Sequence, residues 1–263
     1  MFSNFLKTAK KSAFVIDSLP LLNLNQLLLR CETGPIRVKL HTETEYPSLM
    51  SNTAFLESSK YTNASLRGCH SYILPCLLKL SAALPPHSRV LDIGCGNGSL
   101  SAQFAERGHA VVGVDLAEAG VQIARVNCPS GRFEVLAADS RILENLGEEP
   151  FDLVYSAEVI EHLYDPRSFM AGCFAATRPG GRFICTTPYH GYLKNLAISL
   201  IDGWDKHVNP LFDGGHIKFF SYKTLSALMT EGGFEKIEFN GAGRYPYLWK
   251  SMVVSAYRVS EHV

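Results

Sequence analysis

Val90-Leu91-Asp92-Ile93-Gly94-Cys95-Gly96-Asn97-Gly98 is the stretch on which the fold turns. The apolar run from Arg89 to Ile93 suits a strand buried on both faces. Three glycines at alternate positions follow it. Glycine lets the backbone turn sharply there and lets a ligand come within van der Waals reach of it. Ser99 to Arg107 then has a helical pattern, so the loop presents the unpaired N–H groups and the positive dipole end of a helix. The spacing is G-x-G-x-G with Asp92 just before it, not the G-x-G-x-x-G of a nicotinamide-dinucleotide site.

Working outward, strands and helices alternate. Ala110 to Val114 reads as a strand, Ala117 to Asn127 as a helix and Phe133 to Ala137 as a strand. Phe151 to Ser156 is the next strand, followed by a helix ending near Arg178, a turn at Pro179-Gly180-Gly181 and a strand from Arg182 to Thr186. This order predicts an α/β fold, a mostly parallel sheet with helices on both faces. Such a sheet binds its ligand beyond the carboxyl ends of the strands, where strand order reverses. Gly191 to Gly214 breaks the alternation as an insertion. A helix over Ser221–Gly232 and strands over Glu235–Asn240 and Met252–Arg258 close the pattern. Upstream, Met1 to about Arg30 reads as helical and leucine-rich, Cys31 to Thr53 as a linker, and Ser65 to Leu84 as a helix stopped by Pro85-Pro86. The expected organisation is an N-terminal extension over 1–64 and one domain over 65–263, with a lid-like insertion at 191–214.

The 263 residues are 46% hydrophobic and carry 25 basic and 25 acidic side chains, enough apolar matter for one packed α/β domain. A neutral chain gains little from long-range attraction to phosphate, so nucleic acid is not an expected partner. The seven cysteines form no C-x-x-C pair and are odd in number, which argues against a disulfide framework or a zinc knuckle. No run of eighteen apolar residues exists. Phe2, Phe5, Leu6 and Ala9 share a helical face near Lys7, Lys10 and Lys11, a pattern of a packed helix, of a membrane-surface segment or of a transit peptide. The expected location is the cytoplasm, with room for peripheral membrane contact.

Two acids stand at strand ends beside the glycine loop. Asp115, about twenty residues on, is placed to hold the two hydroxyls of a ribose. Asp139, in Ala137-Ala138-Asp139-Ser140, is placed to accept from an adenine amino group. Asp92 with Gly94, Gly96 and Gly98, then Asp115, then Asp139, resembles the signature of the class I S-adenosylmethionine (SAM)-dependent methyltransferases. Phe151-Asp152-Leu153-Val154 and Arg178-Pro179-Gly180-Gly181 are similar to that family's fourth- and fifth-strand markers. The resemblance implies a Rossmann-like seven-stranded sheet whose last strand is antiparallel. It implies SAM contacts at Asp92, Gly94, Cys95, Gly96, Gly98, Asp115, Leu116, Asp139, Ser140 and Ala157.

Glu158-Val159-Ile160-Glu161-His162 follows the fourth strand. If a helix begins there, two carboxylates and an imidazole share one face at i, i+3 and i+4. Two close carboxylates repel unless a cation sits between them, and this ligand set suits Mg²⁺, Mn²⁺ or Zn²⁺. His216, in Gly214-Gly215-His216, is a fourth candidate. The plainer alternative is a solvated helix face. The segment resembles E-V-[IV]-E-H of the ubiquinone-biosynthesis O-methyltransferases and the site of the plant small-RNA 2′-O-methyltransferase, where two Glu and two His bind Mg²⁺. That implies a metal set of Glu158, Glu161, His162 and His216. Without a metal, His162 or His190 is the candidate general base.

Leu193, Leu196, Ala197, Leu200, Ile201 and Trp204 recur at helical spacing within the insertion, with Lys194, Asn195, Ser199 and Asp202 elsewhere around the helix. Either the helix packs on its own domain or it forms a lid that touches a membrane and admits an apolar substrate. With Tyr245, Tyr247, Leu248 and Trp249 it favours a small aromatic or apolar acceptor. The expected activity is methyl transfer to a hydroxyl of an aromatic or prenylated phenol. The alternatives are a metal-independent enzyme acting on a sugar or lipid intermediate, an RNA 2′-O-methyltransferase, and a cofactor-holding module without catalysis.

Overall fold

The computed structural model describes residue 65 and residues 68–259 apart from 210 and 213, together with the backbone of two short strands, β1 (Leu29–Cys31) and β2 (Gly34–Ile36). The chain divides into two compact units, Met1–Ser48 and Leu49–Val263. In the first, β1 and β2 pair antiparallel, with Leu29 opposite Ile36. The helical reading of the N-terminus therefore fails at Leu29 and Arg30, and the linker reading fails at Gly34–Ile36. Its remainder lies outside the described residues, as does the basic amphipathic start.

The second unit runs α1 (His70–Ser81), β3 (Arg89–Ile93), α2 (Ser99–Ala105), β4 (Ala110–Asp115), α3 (Glu118–Asn127), β5 (Arg132–Val135), α4 (Ile142–Leu146), β6 (Phe151–Ala157), a 3₁₀ turn (Ile160–His162), α5 (Pro166–Ala176), β7 (Thr177–Pro188), α6 (Tyr192–Leu200), α7 (Trp204–His207), α8 (Tyr222–Glu231), β8 (Glu235–Ala242) and β9 (Ser251–Tyr257). The strands form one seven-stranded sheet in the order β5-β4-β3-β6-β7-β9-β8. Pairing is parallel from β5 through β7, and β9 runs antiparallel between β7 and β8. The expected Rossmann-like sheet is the observed one. Strand order reverses at β3, which places the ligand crevice between the ends of β3 and β6.

Side chains alternate across the sheet, so each strand feeds two cores. Leu91, Ile93, Val154, Phe183 and Val254 face one layer with Phe169 and Met170 of α5 and Leu225 and Met229 of α8. Val90, Leu153, Tyr155, Ile184 and Val253 face the other with Ile73 and Leu77 of α1 and Leu100 and Phe104 of α2. Phe104 stacks on Tyr155 with ring centroids 5.0 Å apart. Each such fully buried side chain contributes about 1.5–3 kcal/mol relative to exposure. That burial holds the strand ends, and hence the loops they carry, in fixed relation.

Three elements of this unit depart from the sequence reading, the first being β7, which begins at Thr177 and takes in the expected turn at Pro179-Gly180-Gly181. α4 falls in a stretch with too few residues to establish a period. The helix after β6 starts at Pro166 rather than at Glu158. Asp165 caps it by accepting from the backbone N–H groups of Arg167 and Ser168, a start signal readable in Asp165-Pro166. Among the described residues no helix is long and apolar enough to cross a membrane.

Candidate functional site

The glycine loop leaves β3 with Gly94 at φ 83° and Gly98 at φ 70°, in the left-handed region. A Cβ at Gly94 would lie 2.2 Å from Cγ2 of Val159, and one at Gly98 would lie 2.8 Å from Cβ of Ala124. The loop is thus pinned to β4 and packed against both the β6 end and α3. The N–H groups of Gly94 and Cys95 both donate to the Val114 carbonyl, at 2.7 and 2.9 Å. Cys95 turns its thiol side into the cluster of Val121, Ala124 and Phe133, leaving only its main chain for a ligand.

The acids divide the work. Asp92 is 1% exposed, and its Oδ2 accepts from Ser101 Oγ at 2.6 Å and Tyr155 Oη at 2.7 Å. Burial pushes its carboxyl up to about 7, against the pull of those two hydroxyls. Expected as a direct ligand contact, Asp92 instead ties β3 to α2 and β6 from within the core. Asp115 stands at the loop itself. Its Oδ2 accepts from the Gly96 N–H and its Oδ1 from the Ala117 N–H, both at 2.8 Å, so it braces the loop from the end of β4. Leu116 beside it is exposed. Asp139 Oδ1 accepts from the Arg141 N–H at 2.9 Å, and the Ser140 N–H donates to Ser168 Oγ. Ala157, 7% exposed, ends β6. All these residues gather at the carboxyl ends of β3, β4, β5 and β6.

The second group forms at the end of β6 and β7. Glu158 has φ 58°, so no helix begins there and the i, i+3, i+4 geometry does not arise. Thr186 Oγ1 donates to Glu158 Oε1 at 2.9 Å, and Thr187 Oγ1 to Glu161 Oε2 at 3.0 Å. Adjacent residues of a strand point to opposite faces, so the two threonines separate the two glutamates. Glu161 then joins His162 and His216: one ligand atom from each lies within 4.8 Å of the others, and Glu158 is outside this group. His216 Nε2 is 3.9 Å from Glu161 Oε1, and the two imidazoles meet edge to face at 4.9 Å. The N–H groups of Ile217 and Lys218 both donate to the Glu161 carbonyl, which brings His216 across more than fifty residues of chain. His162 Nδ1 lies 3.1 Å from the Gly215 carbonyl. A carbonyl only accepts, so Nδ1 carries the proton that faces Gly215. Glu161 is 1% exposed, and its Oε1 has no hydrogen-bond partner among the described residues. Burial, then the charge of Glu158, raises its carboxyl well above the usual range. Burial alone raises Glu158 to about 7, against its hydroxyl partners and Lys194.

A cavity of about 480 Å³ opens here, lined by Tyr72, Glu158, Pro188, Lys194, His207, His216, Arg244 and Ser251 among others. Residues 67–238, well over half of the chain, match the methyltransferase domain family. The chain belongs to the SAM-dependent methyltransferases. It is 33% identical over 166 residues to the ubiquinone biosynthesis O-methyltransferase of Ruegeria sp. (strain TM1040), covering 62% of this chain and 66% of that protein. It is 31% identical over 174 residues to that of Cereibacter sphaeroides (strain ATCC 17025 / ATH 2.4.3), covering 65% and 70%. The alignments thus span about two thirds of these relatives' length. A SAM-dependent methyltransferase from Archaeoglobus fulgidus has the same fold, with a TM-score of 0.53 at 16% identity over 70% of this chain and 92% of that one.

The methyltransferase therefore brings three of the four expected metal ligands together and sets Glu158 apart. His190 lies beside them, packed edge-on against His207 and Phe219 at 5.7 and 5.0 Å. Burial, then the charge of Lys194, pulls its imidazole down to about 4. Sequence reasoning missed Thr186 and Thr187, whose position at the carboxyl end of a switch-point strand was a usable signal. It also missed Tyr72, Lys194, Arg244 and Ser251, for which only the fold supplies the proximity.

Lys194 overturns the reading of α6. Lying away from the leucine stripe, it is 6% exposed while Leu196 and Leu200 are 41% and 77% exposed. Its Nζ donates to the carbonyls of Tyr189 at 2.7 Å and Lys250 at 3.3 Å. Those bonds rotate the helix, so the leucine stripe faces outward.

Proposed function

We propose that this methyltransferase transfers the methyl group of SAM to a hydroxyl of a small aromatic or prenylated phenolic acceptor held in the 480 Å³ cavity. The observation that carries this reading is Glu161. A buried carboxylate with an unpartnered oxygen, grouped with two histidines of which His216 lines the cavity, fits a divalent cation such as Mg²⁺. Glu161, His162 and His216 would hold it, with Gly215 orienting His162 from behind. Bound there, the cation lowers the pKa of an acceptor hydroxyl and helps orient it.

The chain's own residues supply the rest. Gly94, Gly96 and Gly98 cradle SAM, Asp115 at the end of β4 meets the ribose, and Leu116, Asp139 and Ser140 flank the adenine. The acceptor oxygen attacks the methyl carbon, the C–O bond forms as the C–S bond breaks, and S-adenosylhomocysteine leaves. Glu158, outside the ligand cluster and on the cavity wall, is placed to take the hydroxyl proton. With its carboxyl near 7 it matches the working pH of a general base. His190, near 4, is too weak a base for a phenol. The names of the relatives agree with O-methylation of a small molecule. Neutral net charge and a cavity of this size argue against an RNA acceptor. Exposed Leu193, Leu196, Leu200 and Ile201 fit shallow contact with a membrane, from which a prenylated acceptor enters.

Methyl transfer from labelled SAM to catechol, with and without EDTA, tests the reading. EDTA should abolish turnover and Mg²⁺ should restore it. A raised carboxyl pKa leaves Glu158 protonated below its pKa, so kcat/KM should rise with pH through a midpoint near 7. Full activity in EDTA would remove the cation and return His162 to the role of simple base.

A further inference from the structure

The cavity wall carries a charge imbalance that a neutral phenol does not use. Lys194 is the buried residue of a helix that otherwise turns Ala197 and Ile198 toward the same cavity. Burying an ammonium is costly unless it is paired. Two of its N–H groups donate to backbone carbonyls, which satisfies hydrogen bonding and leaves the charge. Among the described residues, no ion pair includes Lys194, Arg244 or Lys250. All three line the cavity, where Glu158 is the one carboxylate among the lining residues. Arg244 is held at φ 67°, a conformation that side-chain-bearing residues rarely adopt. Lys250 Nζ sits 5.0 Å from the ring centroid of Tyr72, a position that orients it without neutralising it.

We infer that the acceptor bears an oxyanion group, a carboxylate or a phosphate, recognised by Lys194, Arg244 and Lys250. The inference rests on the reading of this cavity as the acceptor site. Charge-assisted hydrogen bonds of this kind are about twice as strong as neutral ones and tolerate either oxyanion. The Lys194 ammonium is pulled down to about 8, by burial first and by Arg244 second. An oxyanion beside it opposes both effects. The substrate so described has two ends, a hydroxyl at the Glu161 cluster and an anion at the cationic wall, with His216 common to both.

Steady-state kinetics on the full chain with labelled SAM and Mg²⁺ test this, using catechol, 3,4-dihydroxybenzoate and 3,4-dihydroxybenzyl phosphate. One of the two anionic acceptors should exceed catechol in kcat/KM by about tenfold or more. Whichever wins identifies the carboxylate or the phosphate. Lys194→Met, Arg244→Gln and Lys250→Met should each lower kcat/KM for the preferred anionic acceptor at least about fivefold more than for catechol. Arg244 and Lys250 are exposed, so their variants carry the test if Lys194→Met fails to fold. Equal turnover of all three acceptors would overturn the inference and leave O-methylation standing. So would variants that lose catechol and anionic acceptors equally, since Lys194 would then be only a tie for α6. Loss of S-adenosylhomocysteine affinity by calorimetry, with acceptor preference intact, would assign the cations to the SAM carboxylate instead. If no phenol is methylated, the acceptor reading falls and this inference falls with it.

Discussion

The two halves of the strand-end crevice are built from different materials. Beyond β3 and β4 the site is main chain: glycine amides, a carbonyl-braced turn, and Asp115 accepting from two backbone N–H groups. Beyond β6, β7 and β9 it is side chain: Glu158, Glu161, Thr186, Thr187, Lys194, His216 and Arg244 converge from segments far apart in sequence. The first half is rigid because it is continuous with the sheet core. The second half holds buried charge whose carboxyls shift upward, and it is roofed by a helix whose apolar stripe faces solvent. On the function proposed above, a cofactor common to many reactions meets a backbone cradle, and an acceptor peculiar to one reaction meets adjustable side chains.

If that division is right, mutations in the two halves separate cleanly in kinetics. The largest effect is expected from Glu161→Ala, which should cut kcat roughly 100-fold or more while leaving SAM affinity unchanged. Isothermal titration with S-adenosylhomocysteine beside turnover assays measures both, and a loss of SAM affinity would blur the boundary between the halves.

Asp115→Ala comes next and should do the reverse. Removing charge-assisted hydrogen bonds should weaken SAM binding by about 1.5–3 kcal/mol, with kcat at saturating SAM much less affected. Asp92→Asn sharpens the same half. Its amide oxygen still accepts from Ser101 and Tyr155, so titration should find SAM affinity within about twofold of wild type. A loss matching that of Asp115→Ala would make Asp92 a ligand contact after all.

The smallest thermodynamic effect belongs to Leu196→Asp with Leu200→Asp. Exposed side chains away from packed features change stability by about 0.5 kcal/mol or less, so the melting temperature should barely move. The KM for a prenylated acceptor should rise and binding to lipid vesicles should fall. An early melt with loss of SAM binding would show that the helix packs as core and that the lid has no part in access.

By itself the sequence determined where the glycine loop and the strand-end acids lie. Periodicity, the glycine spacing and the strand-end positions of Asp115 and Asp139 are local signals, and a βαβ alternation leaves few ways to arrange them. The Rossmann-like sheet and its antiparallel last strand were legible for the same reason, through motifs in a known order. Only the tertiary structure decided the arrangement at the ends of β6, β7 and β9. A positive φ at Glu158 removed the helix on which the four-ligand reading depended, and two hydrogen bonds to the Glu161 carbonyl brought His216 to its side. Lys194 reads as a solvent-facing residue on any helical wheel, because a wheel contains no Tyr189 or Lys250 carbonyl to receive it. Local patterning reports which residues share a face. Which face is buried depends on partners from elsewhere in the chain, and for buried charge those partners outweigh the apolar stripe.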